Sequence, residues 1–167
     1  MEFIQTSKPE FTLRFATPDD AGLVLRYMRK LGTFQKMSDK ITATEADFHR
    51  LLSEGRGETI FGQYDGETVA FIYFYQNSSA FTGQTGLYID GFLVDEAMKG
   101  KGLGKIMMAY MSQLALERDC QRLEWGCLDW NEPAINFYRK LGAYSVDEMR
   151  IYRFGPEQLE SNAVSFN

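Results

Sequence analysis

Between residues 94 and 105 the chain reads Val94-Asp95-Glu96-Ala97-Met98-Lys99-Gly100-Lys101-Gly102-Leu103-Gly104-Lys105. Three alternating glycines lead into a helical pattern, with Lys99, Lys101 and Lys105 set among them. The chemistry open to such a segment is anion binding. The first N–H groups of a helix have no partner inside it, and glycine lets a phosphate approach the backbone because no Cβ intervenes. In a chain whose net charge is -5, three clustered lysines favour a ligand carrying several phosphates. The bland alternative is a glycine-rich turn with solvated lysines.

Three phosphate-binding loops compete for this segment. The P-loop pattern fails, because Lys99 stands where its first glycine belongs and Ile106 replaces the hydroxyl residue that would hold magnesium. The dinucleotide pattern G-x-G-x-x-G misses by one position, with Lys105 at the third glycine. A methyltransferase-like G-x-G-x-G survives on glycines alone, yet such a loop opens a parallel nucleotide-binding sheet. Here three earlier strand patterns precede the one that leads into it.

The elements that must position the loop are legible in the periodicity. Residues 12–16 form a strand pattern, and Thr17-Pro18-Asp19-Asp20 supplies a helix start. Ala21, Val24, Tyr27, Met28 and Leu31 then repeat at helical spacing, with Gly32 as the expected stop. A shorter helix is expected over 44–54, with Phe48, Leu51 and Leu52 inward. Strands over 58–64 and 67–76 flank Asp65-Gly66, a dipeptide suited to the positive φ of a tight hairpin. A strand over 86–94 leads into the loop, and Leu103, Ile106, Met107, Tyr110, Met111 and Leu114 mark the helix beyond it. A strand over 122–128, a helix through Ala134, Phe137, Tyr138 and Leu141, and a last strand over 148–154 complete the pattern. The order implies a mixed α/β sheet flanked by helices.

The 167 residues suit one domain over 1–167, with its core over 11–155 and loose ends before and after; 44% of them are hydrophobic and 14% aromatic. The acidic balance argues against nucleic-acid binding. No apolar run approaches the length of a membrane span, so the reading is cytoplasmic with no membrane partner. Two cysteines and one histidine leave no metal-site spacing.

The loop resembles that of the GNAT superfamily of acyl-CoA-dependent N-acetyltransferases, whose pyrophosphate segment has the form [Q/R]-x-x-G-x-[G/A]. Lys99-Gly100-Lys101-Gly102-Leu103-Gly104 matches it with Lys99 in place of Gln or Arg, which keeps the charge and loses Arg's planar fork. A second block, Trp130-Asn131-Glu132-Pro133-Ala134-Ile135-Asn136-Phe137-Tyr138-Arg139-Lys140-Leu141-Gly142-Ala143, is similar to the family's N-x-x-A-x-x-F-Y-x-x-x-G segment, and most similar to its form in the diamine (spermidine/spermine type) acetyltransferases. The resemblance implies a mostly antiparallel sheet of six to seven strands with splayed central strands and about four helices. It also implies acetyl-CoA as cosubstrate without a metal, direct transfer to a small primary amine in a ternary complex, and a homodimer, with the apolar stretch through Met149, Ile151, Tyr152 and Phe154 at an interface. The alternative is an acyl-CoA-binding module without turnover.

Residue by residue, the resemblance places the cofactor against the amides of Phe92, Leu93 and Val94 and those from Lys99 to Lys105, and its pantetheine arm near Asn131 and Ala134. Tyr138 falls where the family has a tyrosine beside the cofactor sulfur, making it the expected general acid; periodicity alone would read it as a core aromatic. Asn131 also suits a helix cap. Asp90, expected on one strand face with Tyr88, Phe92 and Val94, is the candidate to accept the amine's proton through water or to bind the amine. Phe34 and Gln35 are expected at the acceptor. Gln35 and Gly91 stand where diamine enzymes carry acids, so an amino-acid or peptide-like acceptor is as open as a polyamine. His49 flanks an apolar helical stripe and reads as structural. Cys127, alternating with Leu123 and Trp125, reads as a buried thiol, against an acyl-cysteine route.

Overall fold

The computed structural model describes residues 1–166. It divides into two compact units, Met1–Trp130 and the remainder from Asn131. The first unit holds a six-stranded sheet in sequence order: β1 (Ile4–Gln5), β2 (Phe11–Phe15), β3 (Glu58–Tyr64), β4 (Glu67–Ser78), β5 (Thr85–Val94) and β6 (Arg122–Trp125). Each neighbouring pair is antiparallel except β5 and β6. That parallel pair needs a crossover, which the 15-residue helix α3 (Leu103–Glu117) supplies. The chain before residue 11, expected to be loose, contributes the short β1.

One sheet face is covered by α1 (Ala21–Phe34) and α2 (Glu45–Ser53), whose Val24, Tyr27, Leu31 and Phe48 form a buried cluster with Phe61, Phe71 and Tyr73. Period-two alternation sends Ile60, Ile72 and Phe74 to the opposite face, and α3 packs on β5 and β6 through a stripe that buries Leu103, Met107 and Met111. Ahead of α1, Arg14 is buried and grips both Asp20 oxygens at 2.9 Å, while Asp20 accepts the Thr17 N–H at 2.8 Å. That pairing holds the Asp20 carboxyl below its usual pKa, with burial opposing. The Thr44 hydroxyl caps α2 by accepting from the Asp47 N–H.

The hairpin turns as expected, with Asp65 and Gly66 both at positive φ, 48° and 85°. Helix α1, however, runs two residues past Gly32. Its stop is Lys36 at φ 58°, which lets the Met37 N–H donate back to the Gly32 carbonyl at 2.8 Å. Gly32 serves packing instead, since a Cβ there would lie 2.7 Å from Ile41. The strand expected to reach residue 128 ends at Trp125, leaving Cys127 exposed rather than buried; Cys120 is the buried cysteine.

In the second unit, α4 (Glu132–Lys140) starts at Asn131, whose Oδ1 accepts the Ala134 N–H at 3.3 Å, and ends before Gly142 at φ 90°. The strand expected over 148–154 is absent. A strand needs a partner for its N–H and C=O groups, and no ladder bond reaches this segment among the described residues. The tail read as loose from Gln158 carries α5 (Pro156–Ala163) and a short 3-10 turn, and Asn167 lies outside the described residues. None of the described residues from 131 onward is buried.

Candidate active site

The lysine and glycine loop joins β5 to α3. Gly100 and Gly102 both adopt positive φ, 82° and 77°, and a Cβ at either would meet nothing within 4 Å. Gly102 is the residue that opens α3, and the first intrahelical bond is donated by Ile106 to its carbonyl. The N–H groups of Leu103, Gly104 and Lys105 therefore start the helix without an intrahelical acceptor, beside an open glycine surface and the positive end of a 15-residue dipole. Lys105 is exposed. Lys99 approaches Glu96 at 2.8 Å and stands 4.6 Å above the Phe34 ring, so the structure brings two of the expected site residues together. Lys101 lies 5.5 Å over Tyr64, and Gln35 caps the end of α1.

Just upstream, Asp95 ties the exit of β5 to α1. Its carboxylate accepts from Lys30 at 3.0 Å and from the Tyr27 hydroxyl at 3.2 Å, while that hydroxyl also lies 2.9 Å from the Thr68 carbonyl. Burial first, and then the Asp95 charge, push the Tyr27 phenol far above its usual pKa, so it remains a donor. This clamp leaves no local signal in the sequence, because Tyr27 and Lys30 lie 68 and 65 positions from Asp95.

The sheet opens at the strand that feeds the loop. β6 pairs only with residues 86–89 of β5, so β5 continues from Asp90 to Val94 beyond the end of its parallel neighbour, which is the expected splay. The Asp95 N–H donates to the Val69 carbonyl at 2.8 Å. Strand alternation then directs the N–H groups of Gly91 and Leu93 toward β4 and those of Phe92 and Val94 away from it. Of the three amides expected to face a ligand, Phe92 and Val94 point outward and Leu93 is engaged within the sheet.

Asp90 is the extra residue of a β-bulge, since Tyr73 opposes Gly91 while Phe74 opposes Ile89. The insertion reverses parity. Gly91 and Leu93 share the α1 face, whereas Phe92 and Val94 lie opposite Ile72 and Ala70 on the other. The expectation that Asp90 shares a face with Phe92 and Val94 is thereby corrected. Asp90 is exposed, and its charge is felt by Tyr73, Tyr75 and Tyr88, whose phenols are raised by burial first and by Asp90 next. Tyr75 and Tyr88 sit directly opposite in register with ring centroids 5.4 Å apart. Tyr88 was expected near Asp90, whereas Tyr73 and Tyr75 were not, although tyrosines at 73 and 75 facing one at 88 across a hairpin are a visible signal.

In the second unit, Tyr138 is half-buried on α4 and its ring lies 5.3 Å from Phe137. Asn131 and Ala134 are joined by the cap described above. Partial burial raises the Cys127 thiol, which opposes thiolate formation. His49 is exposed on α2 with Ser53 for a neighbour. Among the described residues no group of three His, Cys, Asp or Glu could hold a metal ion, and no helix is long and apolar enough to cross a membrane.

The family model described as Acetyltransferase (GNAT) matches residues 25–143, from within α1 past the end of α4. The chain belongs to this family and is an N-acetyltransferase. Among curated proteins it is similar to the thialysine N-epsilon-acetyltransferase of Bos taurus, 28% identical over 167 residues covering 90% of this chain and 96% of that protein. It is also 29% identical over 170 residues to the Homo sapiens spermidine/spermine N(1)-acetyltransferase-like protein 1. That alignment covers 93% of this chain and 24% of the relative, so the chain spans about a quarter of the human protein. Among solved structures, an integron cassette protein from the mobile metagenome of V. cholerae superposes with TM-score 0.74 at 23% identity, covering 92% of this chain and 98% of that one. The mixed, mostly antiparallel sheet that the resemblance implies is the fold shared with that structure.

Proposed function

We propose that the chain moves an acetyl group from acetyl-CoA to the primary amine of a small molecule, by direct transfer in a ternary complex and within one catalytic domain. The observation that carries this reading is the open glycine surface at the start of α3, directly downstream of a strand end whose alternate amides turn outward. The residues fit the cosubstrate. The N–H groups of Leu103, Gly104 and Lys105 and the positive φ of Gly100 and Gly102 offer a diphosphate a main-chain cradle, and Lys99, Lys101 and Lys105 offer charge. Acetyl-CoA would supply the acetyl group, activated as a thioester.

The chain's own contribution is positioning, polarisation and proton movement. The outward N–H groups of Phe92 and Val94 are fixed donors for charge that develops on an acyl oxygen. Asp90, unpaired by any cation among the described residues, is placed to hold an ammonium or to take its proton through water. Since free primary amines titrate near pH 10, reaction at neutral pH draws on a small neutral fraction, and Asp90, through water, is the acceptor assigned to the proton released. Tyr138 is the acid for the leaving thiolate, a role supported by the family segment around it. Phe34 and Gln35 lie toward the acceptor.

Assignment of the acceptor to a diamine, polyamine or ω-amino acid is supported by the substrates named for the relatives. We assign the protein to the cytoplasm, without nucleic-acid partners, and to a homodimer. Support for the dimer comes from the apolar segment after α4, where Tyr144, Ile151 and Tyr152 are each more than 85% exposed.

The test is a thermal-shift panel of CoA, S-adenosylmethionine and NAD, followed by thiol release on mixing the protein with acetyl-CoA and a panel of amines. Stabilisation by CoA and thiol release with an amine are expected. Stabilisation without product from any amine would reduce the protein to a binding module, and stabilisation by S-adenosylmethionine or NAD instead would overturn the assignment.

A further inference from the structure

Resting on the transferase reading, the geometry points to an acceptor that is an α-amino acid with a terminal amine, its carboxylate held by Arg122 and its α-ammonium by Glu124 over the Tyr75 and Tyr88 rings. Three successive rows of one sheet face carry the argument. In the first row Arg122 opposes Gly86, and its Cγ would lie 3.3 Å from a Cβ built there, so the side chain emerges on that face. In the second row Glu124 opposes Tyr88, which opposes Tyr75. In the third, Asp90 bulges out beside Tyr73.

The chemistry of the rows differs in a way that suits a zwitterion better than a polyamine. Arg122 Nε approaches Glu124 Oε1 at 3.1 Å, so the guanidinium is drawn along the strand to the level of Tyr88, and about 40% of each side chain stays open to solvent. That pair offers an acid and a base side by side, the complement of an α-carboxylate and α-ammonium. The remaining guanidinium donors suit a carboxylate. One step on, the tyrosine faces accept an aliphatic chain or a cation. Two residues along a strand advance about 6.5 Å, which separates the pair from Asp90 by roughly the reach of a short aliphatic chain. A polyamine would find Asp90 and Glu124, but it would also meet the Arg122 charge.

Matched acceptors that differ only in the carboxylate test this: ornithine against 1,4-diaminobutane, and lysine against 1,5-diaminopentane, assayed with acetyl-CoA. The parent is expected to favour the amino acid of each pair by about tenfold in kcat/KM, the effect of one charge-assisted hydrogen bond. Arg122→Gln should raise KM for the amino acids and lower it or leave it no higher for the diamines, abolishing the preference, while Arg122→Lys should restore part of it. Diamines used equally well or better by the parent would overturn the inference and leave the transferase reading standing. So would an equal loss on both members of each pair in Arg122→Gln. Absence of thiol release with every amine, despite stabilisation by CoA, would overturn both. The parent comparison decides the matter even if the glutamine variant does not fold.

Discussion

The two units of this chain are built on opposite principles. In the sheet unit, Phe71, Phe74, Tyr27 and Met111 are wholly enclosed, and charged groups that enter it, such as Arg14, are met by bidentate partners. The C-terminal unit has well-capped helices and not one buried residue among those described, while Tyr144, Ile151 and Tyr152 face outward. Local signals suffice to start and stop a helix, but a strand exists only where another strand accepts its hydrogen bonds. The strands of the sheet unit pair with one another, whereas the apolar pattern after α4 forms no strand among the described residues.

Substitutions can break or sharpen this contrast. The largest effect is expected in the core, where Phe71→Ala should lower unfolding stability by about 3 to 5 kcal/mol, read from the denaturant midpoint at constant slope. A smaller loss would mean that α1 packs less tightly on the sheet than the enclosed Tyr27 and Phe71 rings, 5.3 Å apart, suggest. Next comes the acid role proposed for Tyr138. Tyr138→Phe should reduce kcat by about a hundredfold with CoA affinity nearly unchanged, and equal turnover would remove Tyr138 from the acid role.

Gly102→Asp should follow, weakening CoA binding by about thirtyfold in a calorimetric titration. The substitution places a Cβ at φ 77° and a negative charge in the phosphate cradle. Unaltered affinity would show that the cradle is not the binding surface.

A subtler effect concerns pH. Asp20 is held by Arg14 below its unfolded pKa, so its contribution is complete above the unfolded value and fades as pH falls through the folded one. Asp20→Asn should cost about 1 to 2 kcal/mol at neutral pH, discounted for partial exposure, and flatten the acid limb of the stability curve. An unchanged acid limb would place the stabilising linkage elsewhere. Smallest of all, Tyr152→Ser should alter unfolding of the isolated chain by under about 0.5 kcal/mol while weakening self-association in sedimentation. A large loss of monomer stability would show that the segment belongs to an intramolecular core.

Much of this arrangement can be read without coordinates. Asp65-Gly66 demands a tight hairpin because few other dipeptides tolerate two successive positive φ angles. Thr44 and Asn131 announce helix starts through side chains that accept from the turn above. The alternating glycines and lysines before α3 mark, by composition and placement, the loop to which we assign cofactor binding. What failed did so for tertiary reasons. Gly32 looked like a helix stop, but its small size serves contact with Ile41 while Lys36 takes the left-handed turn. Cys127 looked buried because alternation was extended beyond the point where β5 has a parallel partner.

The Asp90 bulge is the most consequential omission for function. Nothing in the residues from Leu87 to Val94 states that one of them is supernumerary, and only the pairing with β4 reveals that faces exchange at that point. The tyrosine shelf, the Arg122 and Glu124 pair beside it and the Asp95 clamp likewise join strands and helices far apart along the chain. Residue identity alone determined the local conformations and the glycine and lysine make-up of the loop before α3, because backbone torsions, capping and charge density are short-range properties. Which carboxylates and rings share a face, and where the sheet opens, was decided by strand register, a collective property of hydrogen bonds between segments that no window of sequence contains.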